Sequence, residues 1–116
     1  MNKDIIINVA KDYTKTPGGR HILEGKFSGE DFRINYLQPK YREAVSSNCR
    51  LIVNLDGGYG YAPSFLEEAF GGLVRELKLK DDLILSIIQI ISEEEPKLID
   101  DVKRYIVDAL EEMNRE

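Results

Sequence analysis

Apolar residues along this chain come in short runs whose spacing alternates between strand-like and helix-like, and glycine, proline and acidic clusters separate the runs. Ile5-Ile-Ile-Asn-Val9 is β-branched and bounded by polar residues, which predicts a first strand. Thr16-Pro-Gly-Gly19 forces a turn, and His21-Ile-Leu-Glu24 reads as a second, short strand ended by Gly25. Ser28-Gly-Glu-Asp31 reads as a helix start with Ser28 as N-cap and acids in the first turn. That helix gathers Phe32, Tyr36 and Leu37 on one face. Pro39 should stop or kink it, because proline lacks the interior donor, and a second piece restarts there through Tyr41, Ala44 and Val45.

Arg50 to Leu55 is apolar without alternation, the pattern of a central strand covered on both faces. From Ser64, apolar residues at Phe65, Leu66, Ala69, Phe70, Leu73, Val74 and Leu77 define a helix with one buried stripe. Leu83 to Ile90, rich in Ile and Leu, predicts another buried strand ending near Ile91. Pro96 suits a first helical position, and Leu98, Ile99, Val102, Ile106, Ala109, Leu110 and Met113 trace a closing amphipathic helix. The order β, β, α, β, α, β, α, with connections long enough for helical crossovers, predicts an α/β fold. We expect a small mixed sheet of about four strands with three main helices packed on it.

At 116 residues the chain fits one domain, 1–116, with room for a single core. Its 42% hydrophobic and 32% charged content fits a soluble globular protein. The start at Met1 shows neither the apolar core nor the cleavage site of a secretory leader, and no apolar run approaches a membrane span. The single cysteine, Cys49, permits no internal disulfide, which fits a reducing cytoplasm. The net charge of −5 is uneven: residues 1–58 carry nine Lys/Arg against seven Asp/Glu, whereas residues 59–116 carry seven against fourteen. That balance disfavours nucleic acid, which needs clustered cations.

Candidate chemistry concentrates where the central strand runs through Asp56, Gly57, Gly58, Gly60 and Tyr61 into the helix at Ser64, the place where α/β proteins usually carry functional groups. Ser64-Phe-Leu-Glu67 has the form of a capping box, with the hydroxyl accepting from residue 67 and Glu67 reaching back. The loop lacks the Gly-Lys-Ser/Thr of a phosphate-binding P-loop and the third small residue of a dinucleotide fingerprint. Asp56 should receive the donors that shape the turn. Gly71 and Gly72 each cost about 1 kcal/mol relative to alanine inside a helix. A helical wheel sets Gly71 with Glu67, Glu68 and Arg75, away from the apolar stripe, so either a partner approaches closely there, or the helix breaks or packs tightly on a neighbouring helix. His21 is the only histidine and lacks companion ligands, so no metal or cofactor is expected. Cys49 reads as a small hydrophobe.

Three segments together, Thr16-Pro-Gly-Gly-Arg20, Phe27-Ser-Gly-Glu-Asp-Phe32 and Leu55 through Arg75, resemble the bacterial STAS-like domain of unknown function, over roughly residues 5 to 110. STAS domains proper include anti-sigma-factor antagonists, small cytoplasmic proteins that bind a serine-kinase anti-sigma factor and are switched off by phosphorylation at a serine. The resemblance carries that serine onto Ser64, although the usual Asp-Ser or Ser-Ser pair followed by glycine is replaced here by Pro63-Ser64-Phe65. A phosphoryl group would add about −1.5 to −2 charges, opposed by Glu67 and Glu68 unless Arg20 or Arg75 offsets them.

The expected function is therefore a non-catalytic cytoplasmic interaction module in which loop 56–64 and helix 64–78 dock a protein partner. The resemblance implies an ATP-binding, kinase-like regulator as that partner, with partner switching controlled at Ser64. The other reading is a small-ligand sensor, in which backbone donors over Gly60 to Phe65, with Arg20, hold an anion, nucleotide included. No nucleophile, base and orienting group assemble into an enzyme site.

Overall fold

A computed structural model of the chain describes residues 3–116; Met1 and Asn2, on which the expectation about a leader partly rests, lie outside the described residues. Three strands, β1 (Ile5–Asn8), β2 (Leu51–Asn54) and β3 (Ile88–Ile91), form one sheet in the order β1-β2-β3. Both pairings are parallel, with Ile5 opposite Leu51, Leu51 opposite Ile88, and the register kept throughout. The sheet is thus wholly parallel and three-stranded among the described residues, not mixed and four-stranded.

The missing strand is His21–Glu24. Ile22–Glu24 closes as a single 3-10 turn, with the Glu24 N–H on the His21 carbonyl at 2.9 Å and the Glu24 carboxylate on the His21 N–H at 2.7 Å. Those local bonds satisfy the backbone donors that a strand would have offered to a neighbour. The third apolar run also divides: Leu83–Ile87 is a short helix, and only Ile88–Ile91 is extended.

Two long helices connect the strands. Helix α1 covers 29–46 as an α-turn Gly29–Phe32, a π-helical turn Arg33–Leu37 and an α-helical stretch Gln38–Ser46. Ser28 caps it as expected, its hydroxyl accepting from the Asp31 N–H at 3.0 Å. Pro39 does not end the helix: it comes after the wide π turn, whose i→i+5 bonding leaves the spare residue that absorbs a missing donor. Helix α2 covers 63–77, again with a central π-helical turn, Glu67–Gly71, between Pro63–Leu66 and Gly72–Leu77. The short helix Leu83–Ile87 is α3, and α4, Lys97–Asn114, closes the chain with its apolar stripe buried.

One sheet face carries the core. Ile7, Leu51 and Val53 are buried against Phe32, Leu37, Phe65, Phe70 and Leu73 of α1 and α2. On the other face Ile6 is 63% exposed, Gln89 is exposed and Ile52 is half-buried. The unbroken apolar run of β2 therefore does not have both faces covered. The helices meet through an aromatic ladder in which Phe32 stacks on Phe65 with centroids 5.9 Å apart and Tyr13 leans on Phe32 at 5.3 Å. Gly29 makes the approach possible, because a Cβ there would collide with the Phe65 carbonyl.

Candidate functional site

The loop after β2 is tied down on both sides. Asp56 accepts from the Glu93 and Glu94 N–H groups, each at 3.0 Å, which joins the ends of β2 and β3. Gly57 donates to Glu94 at 2.8 Å, and the Tyr61 hydroxyl donates to the Leu55 carbonyl at 3.0 Å. Burial pushes the Tyr61 hydroxyl upward from its ordinary ionisation range, helped by the Asp56 and Glu94 carboxylates, so it stays protonated as a donor. Gly57 and Gly60 take φ of 97° and 117°, which a side chain would strain. Gly58 lies against the Lys15 carbonyl, where a Cβ would sit at 3.0 Å, and the Tyr59 N–H donates to that same carbonyl at 2.8 Å. Asp56 therefore has the turn-shaping role its position predicts. The result is a rigid loop that holds Tyr59 outward, 84% exposed.

Ser64 is not the N-cap. Ala62 occupies that position in extended conformation, Pro63 is the first helical residue, and no side chain caps the helix. The expected capping box is absent because proline's fixed φ starts the helix one residue earlier. The Ser64 hydroxyl, half-buried, makes no hydrogen bond among the described residues.

Glu67, released from the cap, joins an arginine cluster. Arg75 grips it with two bonds, 2.8 Å to Oε2 and 3.1 Å to Oε1, and Arg20 also donates to Oε1. Glu68 receives Arg33 at 3.2 Å and Arg20 at 3.4 Å. Hydrogen bonding from Arg75, and then from Arg20, holds the Glu67 carboxyl below the usual range despite partial burial. The same bonds raise Arg20 and Arg75, with Glu67 as the main cause in each. Three guanidinium groups thus converge on two adjacent carboxylates in the helical turn after Ser64.

The centre of this cluster is internal. Arg33 is 3% and Glu68 8% exposed, and the Arg33 Nε is buried without a hydrogen-bond partner. The Arg33 guanidinium lies over Gly72, where a Cβ would be 2.8 Å from Nε. Gly71 is buried as well, beneath Glu67 and Arg75. A regular helical wheel sets Gly71 and Glu68 toward solvent. The π turn adds one residue to the repeat and rotates the rest of the helix by about 100°, carrying both inward. Gly71 is therefore explained by internal packing, without a partner's approach. Arg33 escaped the sequence reading altogether, although its place four residues before core Leu37, on the same helical face, was a signal of burial.

Arg20, Glu67, Glu68, Gly71 and Arg75 form one cluster, and Asp56, Gly57, Gly58, Gly60 and Tyr61 form the neighbouring loop; Ser64 stands between them in the chain. Among the described residues no group of three His, Cys, Asp or Glu side chains is placed to hold a metal ion, and no helix is long and apolar enough to cross a membrane.

No curated protein and no solved structure matches the chain. Residues 28–98 do match a family described as the STAS-like domain of unknown function. The matched span opens at the Ser28 cap of α1 and ends at Leu98 in the first turn of α4, so it takes in the loop, Ser64, Arg33 and both carboxylates, while Arg20 precedes it. With more than half its length covered, the chain belongs to the family of STAS-like domains of unknown function.

Proposed function

We propose that the protein is a non-catalytic regulatory module that docks a protein partner on loop 56–64 and the start of α2, with Ser64 as the control point. The observation that carries this reading is the state of Ser64: a half-exposed hydroxyl relieved of the capping role and free of internal hydrogen bonds. A serine used as a cap would resist modification, because its oxygen would already be engaged. The arginine cluster supports the same reading. A phosphoryl group at Ser64 would stand one turn from Glu67 and Glu68, whose charge Arg20, Arg33 and Arg75 already offset. A partner that reads this face would be an ATP-binding, kinase-like regulator acting in the cytoplasm, and its affinity would change with the charge at position 64.

An anion sensor finds less support. The hollow beside the loop, about 180 Å³, is lined by Asp56, Glu94 and Glu95, whose carboxylates repel an anion. Tyr59 instead has the form of an interface anchor, a large ring held outward at low entropic cost by a rigid loop.

The test is capture from the native lysate with the wild type and Ser64→Glu, both shown to be folded by circular dichroism, with mass spectrometry of the retained proteins and of Ser64. Retention of an ATP-binding protein by the wild type alone supports control at Ser64. Equal retention leaves a constitutive docking module, and no retention removes the reading.

A further inference from the structure

The sheet has two outer edges, and they differ. At the β1 edge the Asn8 N–H is taken by the Asp12 carboxylate at 2.8 Å, and Ile7 on the core face is 2% exposed. At the β3 edge Ile88 and Ile90, which share the core face with Leu51 and Val53, are only half-buried. Beside them lies a hollow of about 440 Å³, walled by Ile99, Val102 and Ile106 of α4. These three recur at helical spacing on one stripe, and Ile99 is 41% exposed. Lys103 is the one charged residue in the lining. Helix α4 thus carries its apolar stripe past the last strand of the sheet.

The backbone along that edge is open as well. In a parallel ladder alternate residues turn both backbone groups toward the same neighbour. The Leu55 N–H donates to the Ile91 carbonyl at 2.8 Å, so Gln89 and Ile91 face β2 while Ile88 and Ile90 face outward. The Ile88 N–H donates to the Ile84 carbonyl, where α3 ends. The Ile88 carbonyl and both backbone groups of Ile90 have no hydrogen-bond partner among the described residues. Edges of this kind are ordinarily protected by proline, charge or a bulge, and Ile88-Gln89-Ile90-Ile91 carries none of these.

We infer that the β3 edge is a strand-addition site, which takes an extended segment of a protein partner with apolar side chains at two alternate positions. The outward N–H and carbonyls pair with the main chain of that segment, and its apolar side chains enter the hollow under α4, beside Ile88 and Ile90. Both features define the occupant. An extended main chain matches the edge groups at strand spacing, and uncharged side chains enter a hollow walled by isoleucine and valine without a desolvation cost. A second copy paired through its own β3 fits poorly, because the two-fold axis would set a second α4 on the same side of the joined sheet and in the same hollow. The site is the side of β3 and not the loop at its end, so it stands independently of the function proposed above.

The test pans a random-peptide phage library against the immobilised full chain, then measures the enriched peptide, made synthetically, by binding titration and by amide hydrogen exchange of the chain. The expected result is a consensus of two apolar residues separated by one other, with exchange at the Ile90 N–H slowed on binding. Ile99→Glu, which places a charge in the hollow at a side chain already partly in water, should lower the affinity at least about tenfold without altering the circular dichroism. The Ile90 readout uses the wild type and so holds however the variant behaves. No enriched peptide, a peptide that leaves the Ile90 N–H exchanging freely, or binding insensitive to Ile99→Glu overturns the inference. So does a dimer in sedimentation velocity whose Ile90 N–H is protected without peptide, which would assign the edge to a second copy.

Discussion

Substituting alanine at Gly29, Gly72 and Gly71 in turn tests whether the helix pair is shaped by contact distances, because each added methyl meets a different kind of neighbour. At Gly29 it meets the Phe65 carbonyl and lies 3.1 Å from the Phe65 Cα. Both are backbone atoms that no rotamer change can move, so α1 must lift off α2. Overpacking typically costs about 1–3 kcal/mol and occasionally more, and this position should reach about 3 kcal/mol. At Gly72 the methyl meets Arg33 Nε at 2.8 Å and Glu68 at 3.2 Å. That guanidinium is buried and cannot swing into water, so a similar strain applies. The alanine recovers about 1 kcal/mol of helix propensity, for a net loss of about 1–2 kcal/mol. At Gly71 the methyl meets the carboxylate tip of Glu67, a flexible side chain a quarter exposed that Arg20 can follow. There the propensity gain of about 1 kcal/mol roughly cancels the disturbed pairing with Arg75. Urea denaturation followed by circular dichroism should therefore rank the losses Gly29 > Gly72 > Gly71, with Gly71→Ala close to wild type. If Gly72→Ala proved as stable as wild type, the buried Arg33–Glu68 packing would be wrong. If Gly29→Ala did, the close approach of the helices would be.

Other outcomes concern the site itself. Ser64→Ala should change stability by less than about 0.5 kcal/mol in the same assay, whereas loss of a working cap costs about 1 kcal/mol; a loss of that size would reinstate the capping box. Glu67 titrates below its ordinary value of 4.5 in the folded state. Its contribution is therefore complete above that value and is lost as the pH falls through the lower folded-state value. Stability measured between pH 7 and pH 3 should accordingly decline more steeply in wild type than in Glu67→Gln over the acid end of that range, and equal slopes would refute the pairing. Asp56→Ala removes two backbone hydrogen bonds to a charged acceptor and should cost about 2–3 kcal/mol. Amide hydrogen exchange at Glu93 and Glu94 should rise with it, and unchanged exchange would separate the β2 loop from the β3 end.

Much of the architecture was legible because burial leaves periodic traces. The strands at Ile5–Asn8 and Leu51–Asn54, the Ser28 cap and the stripe of α4 are all read from spacing or from capping chemistry. His21–Glu24 misled because Ile and Leu suit a strand, while the side chains of Glu24 and Glu30 gave the backbone donors nearer partners. The π turns misled the wheel at Gly71 and Glu68, because a 3.6-residue repeat cannot anticipate an inserted residue. Arg20, Glu67 and Arg75 were singled out separately from the sequence, but their convergence depends on residue 20 meeting residue 67, a contact that local pattern does not encode. Arg33 shares the face of core Leu37, but a buried guanidinium needs a buried partner, and Glu68 lies 35 residues further along the chain where local spacing does not reveal it.

The proposed function requires a protein partner that binds at loop 56–64 and the start of α2. It is tested most directly by amide hydrogen exchange on the full chain, alone and with the partner captured by the wild type. Slowed exchange is expected over residues 56–70, reduced by Ser64→Glu. Protection centred on β3 and α4, with loop 56–64 unchanged, would contradict it.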